Sequence, residues 1–121
     1  MNRLDKIIVL VCAIGFLLCC AGIARGQDRP LYWSSVATLT AAHVADMHSS
    51  WGKYEANPLL RSADGRFGMK GVAVKSSIAA GNLTVQTLLL RKWPKARKAA
   101  AITNFVVAGV VIGIAVRNYR R

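Results

Sequence analysis

"MKGVAVKSSIAAGNLTVQTLLL", residues 69–90, decides how the rest of the chain is read. It is long enough, at 1.5 Å of rise per residue, to cross a hydrocarbon core of ~30 Å as a helix. Only Lys70 and Lys75 interrupt its apolar character with charge. At 100° per residue, Lys75, Asn82 and Gln86 fall on one stripe, with Ile78 and Ala79 beside it. A lysine and two amides on one stripe of a spanning helix are expected to turn inward and find a partner, because an ionisable group in hydrocarbon is costly. If water were the solvent, the same stripe would be an ordinary wet face.

Composition selects between these solvents. The chain has 121 residues, 54% of them hydrophobic and 18% charged, which is too apolar for a small soluble globule with a large surface to cover. Lys and Arg number 17 against 5 Asp and Glu, a formal charge of +12. These charges fall between apolar runs, at 3–6, 25–29, 53–75, 91–98 and 117–121, as expected of flanks facing anionic head groups. No groove-reading motif accompanies the basic residues, so nucleic acid is not the expected partner.

Two further runs carry no charge, 7–24 and 99–116. The first has two readings: a retained transmembrane helix, or a signal peptide cleaved after Ala24-Arg25-Gly26. Its three cysteines, Cys12, Cys19 and Cys20, are the only ones in the chain, so a disulfide framework is not expected in the body of the protein. The stretch 31–51 is helical in length but less apolar, and its Asp46 would cost ~2.5–3.5 kcal/mol facing lipid at mid-depth. Pro30 suits its start, and Tyr32 and Trp33 suit a membrane interface. The expected fold is therefore all-α: an integral-membrane bundle of three mature transmembrane helices, near 31–51, 69–91 and 95–117, or four if the first apolar run is kept. Gly109 and Gly113 in the last helix are expected to serve close packing inside the chain. Basic residues are too evenly divided between the two sides to set the orientation.

The candidate site collects the polar residues that flanks do not explain. On the helix at 31–51, His43, Asp46, Met47 and Ser50 share a face, whereas His48 points away. A zinc helix needs ligands at i and i+4, and the two histidines stand at i and i+5, so no metal or other cofactor is expected. The loop 52–68 contains "YEANPLL", 54–60, where Asn57-Pro58 favours a turn, and "SADG", where Gly65 supplies a positive φ. The partners available to Lys75 are Asp46 and Glu55, which implies that the second and third segments pack with their polar stripes facing. Thr103 and Asn104 are possible additions from the last helix. The candidate set is His43, Asp46, Ser50, Glu55, Asn57, Lys75, Asn82 and Gln86.

Asp46, Ser49-Ser50, "GKYEANPLL" and a lysine-bearing apolar helix resemble a family of small bacterial integral-membrane proteins of unknown function. The likeness spans about residues 35–116, with Glu-Ala-Asn-Pro its most specific part and Ser standing where Thr is commoner. It implies correspondence at Asp46, Ser50, Glu55, Asn57, Pro58 and Lys75, placement in the bacterial inner membrane, and no particular activity. Three functions fit these residues: a non-enzymatic structural or accessory factor, an oligomeric small transporter or proton-coupled site, or an intramembrane enzyme. No nucleophile–base or phosphate-loop motif supports the third. The expected partners are the bilayer and a second copy or another membrane protein.

Overall fold

The computed structural model describes residues 28–121 together with Arg3, Lys6 and Leu10. The reading of 1–26 as signal peptide or first transmembrane helix lies outside the described residues. Three long helices follow one another: α1 (Asp28–Ser50), α2 (Met69–Lys92) and α3 (Arg97–Tyr119), the last entered through a short 3-10 turn, Pro94–Ala96. Among the described residues the fold is all-helical, and the helix bounds lie within a few residues of those expected.

The sequence explains where each helix stops. Gly52 takes φ +71°, a left-handed conformation that side chains resist, and the chain leaves α1 there. Trp93 closes α2 by donating its N–H to Leu89 O, and Pro94, which cannot continue the ladder, starts the turn into α3. Between α1 and α2 the loop 51–68 folds back on itself. Gly52 and Phe67 exchange bonds with their neighbours across it (Gly52 N–H to Phe67 O, 2.9 Å; Phe67 N–H to Lys53 O, 2.8 Å). Gly65 has φ +79° and closes the "SADG" turn by donating to Ser62 O.

α1 and α3 run parallel and pack closely along their length, while α2 runs antiparallel and lies more loosely against α1. The buried positions of α1 step by three and four: Tyr32, Ser35, Leu39, Ala42, Asp46, Ser49. Those of α3 follow the same rule at Ala101, Asn104, Ala108 and Ala115. This is a coiled-coil seam, which keeps two helices in register when the repeat is 3.5 residues. Alanines on α3 let the backbones approach. The buried serines of α1 satisfy their hydroxyls on their own helix, Ser35 on Tyr32 O (2.6 Å) and Ser49 on Asp46 O (2.8 Å).

The core is mainly apolar, with Leu31, Tyr32, Leu39, Ala42 and Leu90 against the seam alanines, but polar residues share it and large apolar residues remain outside. Ser35, Asp46, Ser49, Ser50 and Asn104 are buried, while Ile78, Val85, Leu88, Val106, Val110 and Ile114 are exposed. One helix among the described residues, Pro94–Tyr119, is long and apolar enough by composition to cross a membrane, with mean hydropathy 2.3. α1 and α2 fall short because of the polar residues they carry, buried ones such as Ser35, Asp46 and Ser49 on α1 and mostly exposed ones such as Ser77, Asn82 and Thr84 on α2. Gly109 and Gly113 do not pack inside the chain as expected. Both are exposed, and a Cβ built on either would meet nothing within 4 Å. The seam instead uses the alanines one step round the helix.

Candidate functional site

Two polar layers cross the bundle. On α1 they sit at Ser35 and Asp46, and on α2 at Gln86 and Lys75, the same eleven-residue separation on both. At 1.5 Å per residue the layers stand about 16 Å apart.

The first layer is closed. Gln86 and Asn104 exchange amide bonds: Gln86 Nε2 donates to Asn104 Oδ1 (2.7 Å), and Asn104 Nδ2 donates to Gln86 Oε1 (3.1 Å). Asn104 Nδ2 also donates to Ser35 Oγ (3.1 Å), and the Tyr32 hydroxyl donates to Gln86 Oε1 (3.4 Å). All three helices are tied at one point by side chains whose polar atoms are used. Asn104→Ala would leave the half-buried Gln86 amide nitrogen without its acceptor and take away the donor that Ser35 Oγ accepts. The expected cost is about 2 kcal/mol, read as a lower unfolding midpoint of the purified protein.

The second layer lies where α1, α3 and the loop converge. Lys75 pairs with Asp46 Oδ2. The ammonium also stands 5.0 Å from the centre of the Phe67 ring, whose face adds a favourable cation–π contact. Phe67 is 1% exposed and holds the end of the loop under the helices. Asn118 Nδ2 donates to Ser50 Oγ (3.2 Å), and its carbonyl accepts from Lys53 Nζ. Outside this layer, His48 Nδ1 and the Tyr119 hydroxyl stand 2.7 Å apart and fasten the ends of α1 and α3.

Asp46 is 6% exposed, and its Oδ1 has no hydrogen-bond partner among the described residues. The pair forms part of the wall of an open cavity of about 920 Å³, to which Ser50, Lys53, Glu55, Asp64, Arg66 and Arg121 also contribute.

Several expected members of the site stand elsewhere. Glu55 does not pair with Lys75; its Oε1 accepts the Asn57 N–H (2.9 Å). Asn57 Oδ1 in turn accepts the Leu59 N–H (3.0 Å), so Glu-x-Asn-Pro is a self-contained turn in which each polar side chain holds the backbone two residues on. His43 and Met47 part from Asp46 and Ser50: they line a separate cleft of about 270 Å³ between α1 and α2, with Ser76 and Ala79. A helix seated between two neighbours divides one polar face between them. Asn82 is exposed, because α2 is held at the two polar layers and stands off between them. Thr103 is exposed and bonds its own helix at Ala99 O. Tyr32, expected at an interface, is 5% exposed in the first layer.

Ser35, Lys53, Phe67, Asn118 and Tyr119 were not expected in these contacts. The alternating steps of three and four residues that lead from Ser35 to Asp46 and from Asn104 to Asn118 carry the signal for two of them.

Among the described residues the fold and site define an all-helical bundle with a part-buried Asp–Lys pair and one helix long and apolar enough to cross a membrane. Scans of family models, of characterised proteins and of solved structures each give no match to this chain.

Proposed function

We propose that this chain is a multi-pass protein of the bacterial inner membrane, a non-enzymatic structural or accessory factor with three transmembrane helices, or four with the first apolar run. The observation that carries this reading is the outer surface, where large aliphatic side chains stand exposed along α2 and α3 while serine, asparagine and aspartate are among the buried residues. In water such a bundle would leave much of its large aliphatic area exposed. In lipid the preference reverses, since every polar group must be satisfied internally. Under this reading α1 and α2 also span, joined by the Lys75–Asp46 and Tyr32–Gln86 contacts. The sequence resemblance to the Glu-x-Asn-Pro family of small bacterial membrane proteins agrees with it.

The test is extraction and labelling. The protein is expected to stay in the membrane pellet after alkaline carbonate. In a background with Cys12, Cys19 and Cys20 replaced by Ala, Val85→Cys and Val110→Cys are expected to resist a membrane-impermeant maleimide until detergent is added. Release by carbonate, or fast labelling at both positions in sealed vesicles, would overturn the reading.

A second reading, an oligomeric transporter or proton-coupled site, is favoured by the unpartnered Asp46 Oδ1 beside an open cavity. Its mark is a variant that folds and loses uptake.

A further inference from the structure

We infer that a second copy of this chain packs on the outer face of α2, with Asn82 of each copy hydrogen-bonded to its counterpart at the centre of the contact. This rests on the membrane reading, which makes an exposed amide at that depth costly.

The first observation is an unmet demand in the middle of a helix. Between Lys75 and Gln86, α2 carries Ser76, Ser77, Asn82 and Thr84. Ser77 donates to Ala73 O (2.7 Å), Thr84 to Ala80 O (2.8 Å) and Ser76 to Met47 Sδ (3.7 Å). Asn82 is exposed and has no hydrogen bond among the described residues. A hydroxyl on a short stem satisfies itself on the carbonyl one turn back, whereas an amide has two N–H donors and a carbonyl to satisfy. In α2 (Met69–Lys92), Asn82 stands about 20 Å from the first residue and about 15 Å from the last. If α2 spans, that is the middle of the hydrocarbon, where water is absent and polar groups must find protein partners.

The second observation is what surrounds the amide. Ile78, Val85 and Leu89 are 67%, 55% and 46% exposed. Together with Asn82 they step by four, three and four residues, which places all of them on one stripe of the helix. That is the spacing of a helix–helix seam with asparagine at one core position, an arrangement that fixes the register of two helices.

The amide also says what covers the stripe. It is donor and acceptor at once and so is complementary to itself. In a two-fold contact a residue near the axis meets its own counterpart, and one asparagine then supplies both halves of the exchange. With the two α2 helices parallel, Ile78, Val85 and Leu89 meet their counterparts as well. Gln86 and Asn104 make the same kind of amide exchange between two helices of one chain.

Disulfide cross-linking in native membranes tests this. With Cys12, Cys19 and Cys20 replaced by Ala, oxidation of Ile78→Cys or Val85→Cys is expected to yield a band of twice the chain's mass. Thr84→Cys, exposed on the opposite side of α2, is expected to yield about tenfold less. Asn82→Leu is expected to weaken the dimer about tenfold, read by energy transfer between labelled copies as the protein is diluted in liposomes, and Asn82→Gln to restore most of the loss. Asn82 has no partner within its own chain, so the leucine variant is expected to fold, and its thermal unfolding in detergent as a monomer separates lost association from lost folding. Equal cross-linking at 78 and 84, none at 78 and 85, or an Asn82→Leu dimer as tight as the wild type would overturn the proposal. So would a bond within one chain between Val85→Cys and a retained native cysteine, which would give the stripe to residues 7–24, or a cross-linked band of another mass, which would give it to a different protein. Cross-linking at 78 and 85 by a chain that carbonate releases from membranes would uphold the contact and overturn the membrane reading. Failure to cross-link there by a chain that carbonate leaves embedded would do the reverse.

Discussion

Lys75→Met lowers stability by about 3 kcal/mol and reduces the amount of protein that accumulates, and Asp46→Asn added to it restores most of the loss. The reason is asymmetry. An aspartate that keeps its charge after losing its cation is an uncompensated charge in a buried seam, which costs more than the pair ever contributed. The estimate sits at the low end of the range for buried pairs because the Lys75 side chain remains 22% exposed. Methionine is the informative replacement. It preserves the unbranched stem and a favourable contact with the Phe67 ring, so what it removes is charge. In the double variant no charge remains to be satisfied, and the seam of α1 and α3 is intact. Thermal unfolding of the purified variants and their abundance in cells supply the measurement. A single variant as stable as the wild type would mean that Asp46 finds another donor and that the pair contributes nothing. A double variant as damaged as the single one would mean that Lys75 acts through something other than Asp46. The double variant also separates the two functional readings: preserved folding with lost transport would favour a proton-coupled site over a structural pair.

Helix positions were legible in the sequence because their punctuation is local. Gly52, Pro94 and the lengths of the apolar runs bound the helices almost as built. The facing of the second and third segments was legible too, since Lys75 in an apolar run restricts its partners to the nearest acids. Choosing between Asp46 and Glu55 was not possible from spacing. Glu55 lies in a loop where its own backbone, two residues away, offers a donor at far lower entropic cost than a side chain on another helix. The stripe Lys75–Asn82–Gln86 was right at its ends and wrong in the middle. Angular position on a helix says which residues share a side, but not whether a neighbour reaches that side at every depth. The seam between α1 and α3 is the part that reading at 3.6 residues per turn missed. Its repeat of three and four marks Ser35 and Asn104 as a facing pair as surely as Leu39 and Ala108, but small polar residues carry little weight in a search for hydrophobic stripes. For the same reason Gly109 and Gly113 drew attention that belonged to Ala101, Ala108 and Ala115.

Gly71→Ala is the second large effect, and it arises from one methyl group. A Cβ at Gly71 would stand 2.4 and 2.6 Å from two ring carbons of Phe67 and 2.8 Å from the carbonyl oxygen of Leu60. No observed Cβ tolerates such contacts, so something must move. Moving the ring is costly: Phe67 is 1% exposed, and its ring faces the Lys75 ammonium, one turn further along α2 from Gly71. Leu60 O belongs to the backbone of the turn that Asn57 braces, with Leu60 N–H donating to Asn57 O (3.1 Å). Relief therefore requires α2 to rise off the loop, which would loosen the Lys75–Asp46 pair as well. The expected cost is about 3 kcal/mol, the upper part of the range for overpacking, with the cavity at the loop end losing its shape. Helix propensity alone predicts the opposite sign, because alanine in a helix interior is better than glycine by up to about 1 kcal/mol. Gly81→Ala tests that term in isolation. Gly81 lies in the same helix with nothing within 4 Å of its added Cβ, and the substitution is expected to raise stability slightly. Phe67→Leu in the Gly71→Ala background is expected to recover only part of the loss, since the Leu60 carbonyl still stands in the way. If Gly71→Ala and Gly81→Ala shift the unfolding midpoint in the same direction, the loop is not held under α2 as described, and the wall of the open cavity loses its foundation with it.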